Sequence, residues 1–337
     1  MKTLVTGGAG FIGSELVRQL ADRVDHITVI DNLVNGRTEN LDGLSPKKFQ
    51  LVVEDIRNSA RMLELMQGVQ TVFHLACLGV RHSIHSPREN HEVNATATLD
   101  LLAAARKARV QRFVYVSSSE VYGTARYAPM TEEHPTFPMT VYGAAKLAGE
   151  CYTRAYHFTY GFPTAVVRPF NAYGPRCHHE GDSGEVIPKF LLRCMAGKPM
   201  VVFGDGTQTR DFTFVSDTAR GILLAGFADG AVGQTINLGQ GNEISINELT
   251  AEVSHVVGRG NGQVVHDQPR PGDVLRLYAD PARARKLLGF ATTVKLREGL
   301  TRLKDWYDGL DTDPERLLED EVIHNWQASE SQRHDQD

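Results

Sequence analysis

The stretch Thr6-Gly7-Gly8-Ala9-Gly10-Phe11-Ile12-Gly13 decides the fold, because it joins a short apolar strand pattern to a helical pattern. Its glycines fit GxGxxG when counted from Gly8 and GxxGxxG when counted from Gly7. Either spacing permits a tight turn and brings the backbone close to a pyrophosphate at the N-terminus of the following helix. The stretch therefore predicts a dinucleotide site at the first strand-to-helix turn.

Short apolar runs alternate with longer helical patterns through the first half of the chain. We predict strands at Thr3–Thr6, Ile27–Ile30, Gln50–Val53, Thr71–Leu75, Phe113–Val116 and Ala165–Val167, and helices at 12–22, 58–67, 88–108 and 140–160. This alternation is typical of βαβ units, and the nearly continuous apolarity of Phe113–Val116 is typical of a strand buried on both faces. The predicted fold class is α/β, with a Rossmann-like doubly wound parallel sheet.

The pattern changes after Asn171, where loops rich in glycine, proline and charged residues separate shorter elements. Insertions of this kind lie beyond the carboxyl edge of the sheet, where open α/β folds bind their ligands. We predict a dinucleotide-binding domain at 1–171 with returns to it near 212–240, a smaller, discontinuous C-terminal substrate lobe at 172–310, and an acidic tail at 311–337. No function is assigned to the tail.

The charge is distributed unevenly along the 337 residues, whose formal net charge is -5. Residues 311–337 carry nine acidic and two basic side chains, a net charge of -7, which leaves +2 for residues 1–310. The chain has no overall basic excess that would hold a polyanion by counterion release. Nucleic acid is therefore excluded as an expected partner, whereas a small anionic ligand is compatible with the body of the chain.

The four cysteines, Cys77, Cys151, Cys177 and Cys194, show no CxxC spacing, so neither a zinc ribbon nor a disulfide framework is predicted. No metal site is expected. The longest apolar runs fall far short of about 18 residues, and no signal-peptide pattern precedes the first glycine. We expect a cytoplasmic protein that does not act at a membrane.

Asp31 follows the second predicted strand, 18 residues after Gly13. A carboxylate at this position accepts hydrogen bonds from the adenosine ribose hydroxyls and repels a 2′-phosphate, so the predicted cofactor is NAD. Arg37 is a weak argument for NADP, because arginine pairs with a 2′-phosphate, but it does not replace Asp31. We interpret Arg37 as a surface residue.

Tyr142 and Lys146 are spaced i, i+4 in a helical pattern and therefore share one helix face. A phenol with a pKa near 10 is a poor base, but a neighbouring ammonium and a cationic nicotinamide both favour the phenolate. The run Ser117-Ser118-Ser119-Glu120 ends the fifth predicted strand, at the edge where the nicotinamide is expected. A hydroxyl there can position a substrate alcohol and relay its proton to Tyr142.

Taken together, these motifs resemble those of the extended short-chain dehydrogenases/reductases, and within them the nucleotide-sugar epimerases and dehydratases. The resemblance covers about residues 1–308. The matching runs are Thr6–Gly13, Asp31–Leu33, Asp55-Ile56, His74–Ala76, Asn94, Ser118 before Val121–Gly123, Tyr142 with Lys146, Arg168–Arg176, Gly204–Phe212 and Arg270–Val274.

The resemblance implies a set of functional residues and a partner. The implied cofactor residues are Gly7, Gly10, Phe11, Ile12, Gly13, Asp31, Asn32, Asn35, Gly36, Asp55, Ile56, Leu75, Ala76 and Asn94, together with Tyr142 and Lys146. The implied substrate residues are Arg81, Ser118, Asn171, Val186, Arg210, Arg270 and Asp273. The implied substrate is a nucleotide-diphosphate sugar, whose charge suits the donor forks of Arg210 and Arg270. Similar enzymes are often homodimers through the helix that carries Tyr142.

The implied chemistry begins when Tyr142 removes the proton of the sugar 4-hydroxyl while hydride leaves C4 for NAD, which gives a 4-keto sugar. A 4-epimerase then only returns hydride to the other face, and this is our first choice. A 4,6-dehydratase or a UDP-glucuronate-type decarboxylase would also use Glu120 at C5. Ser118, Glu120, Tyr142 and Lys146 are the predicted catalytic residues. A simple reductase and a non-catalytic NAD-binding scaffold are the remaining alternatives.

Two histidine-containing runs remain, and the first of them departs from the resemblance. Arg81-His82 lies in a loop where similar enzymes contact the sugar or phosphate, so it marks an unusual substrate. Arg176-Cys177-His178-His179-Glu180 invites a metal interpretation, but adjacent histidines do not easily converge on one ion. We predict that this second run is a loop over the sugar.

Overall fold

The computed structural model describes residues 1–181, 183–260, 262–270, 273–324 and 326. Pro271 and Gly272 of the run Arg270–Val274, and residues 325 and 327–337 of the predicted acidic tail, lie outside this range. The strands are β1 Lys2–Thr6, β2 His26–Asp31, β3 Phe49–Val53, β4 Thr71–His74, β5 Arg112–Val116, β6 Thr164–Pro169, β7 Asn171–Tyr173, β8 Met200–Phe203, β9 Thr209–Arg210, β10 Phe212–Phe214, β11 Thr235–Leu238, β12 Ile244–Ser245 and β13 Val264–Asp267.

The α-helices are α1 Phe11–Ala21, α2 Ser59–Leu65, α3 His82–His85, α4 Pro87–His91, α5 Ala97–Lys107, α6 Val141–Tyr160, α7 Val186–Met195, α8 Val215–Phe227, α9 Ile246–Val257, α10 Ala282–Leu288, α11 Leu296–Asp308 and α12 Pro314–Leu317. Among the described residues, no helix is both long enough and apolar enough to cross a membrane.

The main sheet confirms the predicted α/β fold class. Its strand order is β11-β6-β5-β4-β1-β2-β3, and every neighbouring pair is parallel. The chain extends the sheet from β1 through β2 to β3 on one side, and from β4 through β5 and β6 to β11 on the other. The strand order therefore reverses between β1 and β4, and this doubly wound arrangement opens a ligand crevice at the carboxyl edge. The glycine turn follows β1 at this edge, and the run that contains Ser118 follows β5.

Helices cover both faces of the sheet, as the apolar strands require. Helices α1 and α8 pack on one face, where Leu16, Val17, Ile222 and Leu223 are fully or almost fully buried. Helices α2, α5 and α6 pack on the other face. Within 212–240, β11 adds a strand to the main sheet beside β6, whereas β10 pairs with β7.

The C-terminal lobe has its own apolar core, formed mainly by α7, α9 and α11. The strand pairs β7 with β10, β8 with β13 and β9 with β12 surround this core. Phe11 of α1 and Tyr173 of β7 belong to the same cluster of buried side chains. The glycine turn therefore lies next to the junction between the sheet and the lobe.

One predicted helix is interrupted. The pattern over 88–108 predicts a continuous helix, but the structure has α4, a wider π-type turn at Glu92–Thr96 and then α5. Turns of this type are rare and are often found near functional sites. The side chain of Asn94 in this turn bonds to a loop that lines the site described next.

Candidate active site

The glycine turn is shaped by close backbone contacts. Gly7 has φ +70°, and a Cβ atom there would lie 2.6 Å from the backbone nitrogen of Ala76. A Cβ atom on Gly10 would meet only Gly7 O, at 3.3 Å, among the described atoms, and would project into the cavity that Gly10 lines. Any residue other than glycine at these two positions would therefore narrow the space in front of α1, so this turn has the shape that a pyrophosphate needs.

Asp31 is buried at the end of β2. Asp31 is 7% exposed, and its carboxylate accepts hydrogen bonds from Ala9 N at 2.9 Å and Leu33 N at 3.0 Å. Burial raises the pKa of this carboxyl, while the two amides lower it. Arg37 does not line the cavity but pairs with Glu180 at 2.5 Å. The acid, and not the arginine, therefore faces the site.

A single cavity of about 840 Å³ runs along the carboxyl edge of the sheet and into the lobe. It is lined by all of the predicted cofactor, substrate and catalytic residues except Asn94. Residues that are far apart in sequence, such as Gly7, Tyr142 and Arg270, are thus brought to one continuous space.

Asn94 lies behind the cavity wall. Its Oδ1 accepts from Leu78 N at 2.9 Å, and its Nδ2 donates to Leu78 O at 2.8 Å. Asn90 donates to the same carbonyl at 3.1 Å. Both asparagines are fully buried. Asn94 therefore fixes the Leu75–Arg81 loop, and any effect on a cofactor would be indirect.

His74 forms a buried polar connection under the site. Its Nδ1 lies 2.7 Å from Thr6 Oγ1, and its Nε2 lies 3.0 Å from Thr98 Oγ1. Thr98 donates to Asn94 O, so it accepts from His74, which assigns the proton to Nε2. Burial, together with Lys146, lowers the pKa of His74 to about 3. His74 is therefore neutral at pH 7.

This burial predicts a pH-dependent stability. Because the unfolded chain binds a proton near pH 6.5 and the folded chain does not, the free energy of unfolding falls as the pH drops from 7 towards 3. His74 accounts for a loss of about 2 kcal/mol between pH 7 and pH 5. We expect His74→Gln to reduce the pH dependence by this amount in urea unfolding. The control His91→Gln, a change at an exposed histidine, should leave the pH dependence of the unfolding free energy unchanged. The same pH dependence in His74→Gln and wild type would contradict the assignment.

Tyr142, Ser118 and Lys146 line the same cavity. Ser118 interacts with Tyr142 and opposes the rise in its pKa, and Ser118 Oγ accepts a hydrogen bond from Glu120 N at 3.2 Å. Lys146 Nζ is buried and donates to Val116 O at 2.7 Å. Desolvation raises the pKa of Tyr142 well above its ordinary value and lowers the pKa of Lys146. The phenol is therefore protonated at pH 7 unless positive charge approaches it.

Glu120 lines the same cavity. Burial raises the pKa of its carboxyl, and the charges of Arg210, Arg270 and Arg81 oppose this rise. Its charge also acts on Tyr142. A carboxyl with a raised pKa in a cavity is suited to proton transfer near neutral pH.

Two arginines share one carboxylate at the lobe end of the cavity. Arg210 Nη2 donates to Asp273 Oδ1 at 2.7 Å, and Arg270 Nη2 donates to the same oxygen at 3.1 Å. Arg210 is only 9% exposed. The three side chains together carry one net positive charge, and all three line the cavity. Nearby, Asn171 Oδ1 is buried and has no hydrogen-bond partner among the described residues.

Sequence reasoning missed a second carboxylate in this space. Glu185, immediately before Val186, lines the cavity, and burial raises the pKa of its carboxyl. The charges of His178 and Arg81 oppose this rise, and the charge of Glu185 acts on Tyr142. No motif spacing marks this glutamate, because the fold of the 173–185 loop alone brings it to the site. The loop bears His178 on the cavity wall, and His179 does not line it.

Comparison with known proteins gives the family. The family model described as GDP-mannose 4,6 dehydratase matches residues 4–303. A UDP-glucose 4-epimerase from Mycolicibacterium smegmatis is 38% identical over 312 residues, which cover 91% of this chain and 98% of that protein. The chain belongs to the NAD-dependent nucleotide-sugar epimerase and dehydratase family. The family resemblance predicted from the motifs is thus confirmed.

Solved structures of this epimerase and dehydratase family have the same fold. A dTDP-glucose 4,6-dehydratase from Streptomyces venezuelae, solved with NAD bound, has a TM-score of 0.85 and 34% identity over 91% of this chain and 97% of its own. A UDP-glucose 4-epimerase from Thermotoga maritima, solved with UDP-glucose, has a TM-score of 0.86 and 31% identity over 91% and 99%. Proteins of both reaction types are therefore similar to this chain, and the family uses NAD.

Proposed function

We propose that this protein is an NAD-dependent nucleotide-diphosphate-sugar 4-epimerase that works through a transient 4-keto sugar. The observation that carries the proposal is that Ser118, Tyr142 and the buried Lys146 line one cavity with the glycine turn and the Arg210–Asp273–Arg270 group. A reaction centre thus lies between a dinucleotide cradle and an anion site. This chain matches two relatives named as 4-epimerases over nearly their whole length.

The residues present fit NAD. The open turn at Gly7 and Gly10 would hold the pyrophosphate, Asp31 the adenosine ribose, and Asp55 and Ile56 would flank the adenine. When bound, NAD would accept hydride from C4 and return it. The carboxylate of Asp31 would repel a 2′-phosphate, and Arg37 is engaged by Glu180, so NAD is preferred to NADP.

The proton of the 4-hydroxyl would pass to Tyr142, with Ser118 orienting the sugar oxygen. Because desolvation holds the pKa of Tyr142 high, the phenolate needs positive charge beside it. Lys146 on the same helix face and a cationic nicotinamide would supply that charge. Proton removal is therefore tied to the presence of the oxidised cofactor.

Arg210 and Arg270 would hold the diphosphate, with Asn171 as a further polar contact. Asp273 already bridges the two guanidinium groups and would meet the nucleotide ribose. Val186 and Arg81 complete the predicted substrate contacts on the cavity wall. The net positive charge of this group suits a short diphosphate rather than an extended polyanion.

A panel of UDP-, GDP- and dTDP-sugars, followed by mass spectrometry and chromatography, tests the proposed function. An epimerase gives an isomer of unchanged mass. Loss of water would instead show a dehydratase, and loss of carbon dioxide a decarboxylase. A reductase would consume added NADH, and a non-catalytic scaffold would change no sugar. Retention of NAD through purification would argue against the reductase, which releases its nicotinamide at each turnover.

The second candidate is a reaction at C5, such as 4,6-dehydration or UDP-glucuronate-type decarboxylation. It is favoured by Glu120 and Glu185, two carboxyls with raised pKa that line the sugar side of the cavity. In a decarboxylase the 4-ketone would let the C5–C6 bond break as carbon dioxide leaves, and one carboxyl would protonate C5. For dehydration the same ketone makes the C5 hydrogen acidic, so one carboxylate would serve as base. In a dehydratase the other carboxyl would protonate the departing C6 hydroxyl.

Glu120→Gln separates the two candidates. An epimerase needs no acid or base at C5, so we expect kcat for epimerisation to stay within about fivefold of wild type. A C5 reaction would slow by about 10²- to 10³-fold, because the group that removes or delivers the proton at C5 is lost. The matched control is Glu133→Gln, a change at an exposed glutamate outside the cavity. A 100-fold loss of epimerisation in Glu120→Gln alone would contradict the assignment.

The predicted homodimer stays a prediction. Helix α6 presents Phe158 and Tyr160 to solvent, with 78% and 51% of their surfaces exposed. Large apolar side chains on one exposed helix are compatible with a helix-to-helix contact between two copies. Light scattering on the purified protein measures the mass directly.

A further inference from the structure

Residues beyond the family match add a wall to the cavity. The family model ends at residue 303, whereas the chain continues through α12 and packs the buried Leu318 into the core of the lobe. We call Leu318–His324 together with Trp326 the C-terminal strap. Glu321 and Ile323 of this strap line the same cavity as the glycine turn and Tyr142.

The C-terminal strap is fixed at four successive places. The contacts join Asp320 O to Gly181 N at 2.8 Å, Glu321 Oε2 to Arg193 Nη1 at 2.6 Å, Val322 O to Lys189 Nζ at 2.7 Å, and His324 Nε2 to Asp267 Oδ2 at 2.8 Å. The Arg193–Glu321 pair is largely buried, with side chains 12% and 9% exposed. Trp326 packs edge-on against Phe203, with ring centroids 4.6 Å apart. The strap therefore has one defined path from the 173–185 loop to β8 and β13.

This path crosses the part of the cavity where a nucleoside would lie. If the reacting sugar is at Tyr142 and its diphosphate is at Arg210 and Arg270, the nucleoside extends further into the lobe. There the walls are α7, β8 and the strap, with Arg193, Phe203 and Ile323 among the lining residues. The aromatic ring of Phe203 and the branched side chain of Ile323 offer apolar contact to a flat base.

We propose that the C-terminal strap forms one side of the nucleobase pocket, and that Glu321 and Ile323 help to determine which nucleotide-diphosphate sugar binds. This inference rests on the proposed function and names the element that selects its substrate. Ile323 supplies apolar contact, whereas the Arg193–Glu321 pair supplies fixed hydrogen-bonding groups at the edge of the pocket. A site with such groups discriminates between bases whose edges carry different donors and acceptors.

Calorimetric binding of UDP, dTDP, GDP and inorganic pyrophosphate to the full chain tests the inference. For Ile323→Ala we expect the affinity for the preferred nucleoside diphosphate to fall about tenfold, the low end for apolar groups lost from a pocket. For Glu321→Gln we expect the ratio of the UDP and GDP affinities to change on the order of fivefold. The affinities for pyrophosphate and NAD should stay unchanged in both variants, because neither ligand carries a base in this pocket.

The matched controls are Val322→Ala and Glu319→Gln, neighbouring strap-region side chains that do not line the cavity. Thermal unfolding of each variant separates loss of the strap from loss of the fold. Unchanged nucleoside diphosphate binding in both Ile323→Ala and Glu321→Gln would overturn the role of the strap but not the proposed function. If the wild-type protein binds none of the three diphosphates, the proposed function fails and this inference fails with it.

Discussion

Tyr142→Phe is expected to lower kcat on the sugar identified by the panel by about 10³-fold, while NAD stays bound. The substitution removes only the hydroxyl and keeps the ring in the cavity wall. Because the role proposed for this group is to take the proton of the 4-hydroxyl, the loss should be in kcat rather than in KM. Stopped-flow and steady-state rates, with cofactor content measured on the same sample, give the result.

The control for this variant is Tyr127→Phe, which removes an exposed phenol outside the cavity. It should leave kcat within about twofold of wild type, as expected for a surface change. Activity of Tyr142→Phe above one tenth of wild type would show that another group removes the proton. Glu120 and Glu185 would then be the nearest candidates, because the charges of both act on Tyr142.

Glu150→Gln is expected to lower the free energy of unfolding by about 3 to 5 kcal/mol, the cost of leaving a buried charge without its partner. Glu150 of α6 is completely buried and pairs with Arg168 of β6 through two hydrogen bonds, at 2.8 and 2.6 Å. Arg168 also donates to Tyr122 Oη at 2.7 Å, which donates to Asn237 at 2.7 Å. The pair therefore connects the helix of Tyr142 and Lys146 to the sheet.

Urea unfolding with matched m-values measures this loss. The control is Glu298→Gln, which breaks an exposed i, i+4 pair with Arg302 and should cost less than about 1 kcal/mol. If Glu150→Gln lowered the free energy of unfolding by less than about 1 kcal/mol, the account would be contradicted, because water or another group would then pair with the charge of Arg168. A large loss of stability with normal kcat in the folded fraction would separate this structural role from catalysis.

Much of the fold and part of the site follow from local sequence patterns. The strand at Phe113–Val116 is apolar on both faces, and its observed bounds differ from the predicted ones by one residue. The glycine spacing of Thr6–Gly13 requires a tight turn, so the start of α1 is predicted to within one residue. Tyr142 and Lys146 share a helix face by spacing alone. Convergence of these residues in one cavity follows because parallel strands end at the same edge.

Other features depend on tertiary contacts that no local pattern encodes. Glu185 enters the cavity because its loop packs there, and nothing in its neighbours distinguishes it from a solvated acid. Asn94 matches the family pattern, yet its side chain bonds to Leu78 and does not line the cavity. Part of the tail, interpreted from its charge alone, packs as the C-terminal strap through Leu318 and Glu321.

The most direct test of the central claim is a single turnover with a nucleotide sugar that carries deuterium at C4. The account predicts a transient absorbance at 340 nm that rises and decays on the enzyme without added cofactor, and a product that keeps the deuterium at C4 in an epimerised sugar. Conversion of the sugar with no transient at 340 nm, or with the deuterium lost to solvent, would contradict a 4-keto route through enzyme-bound NAD.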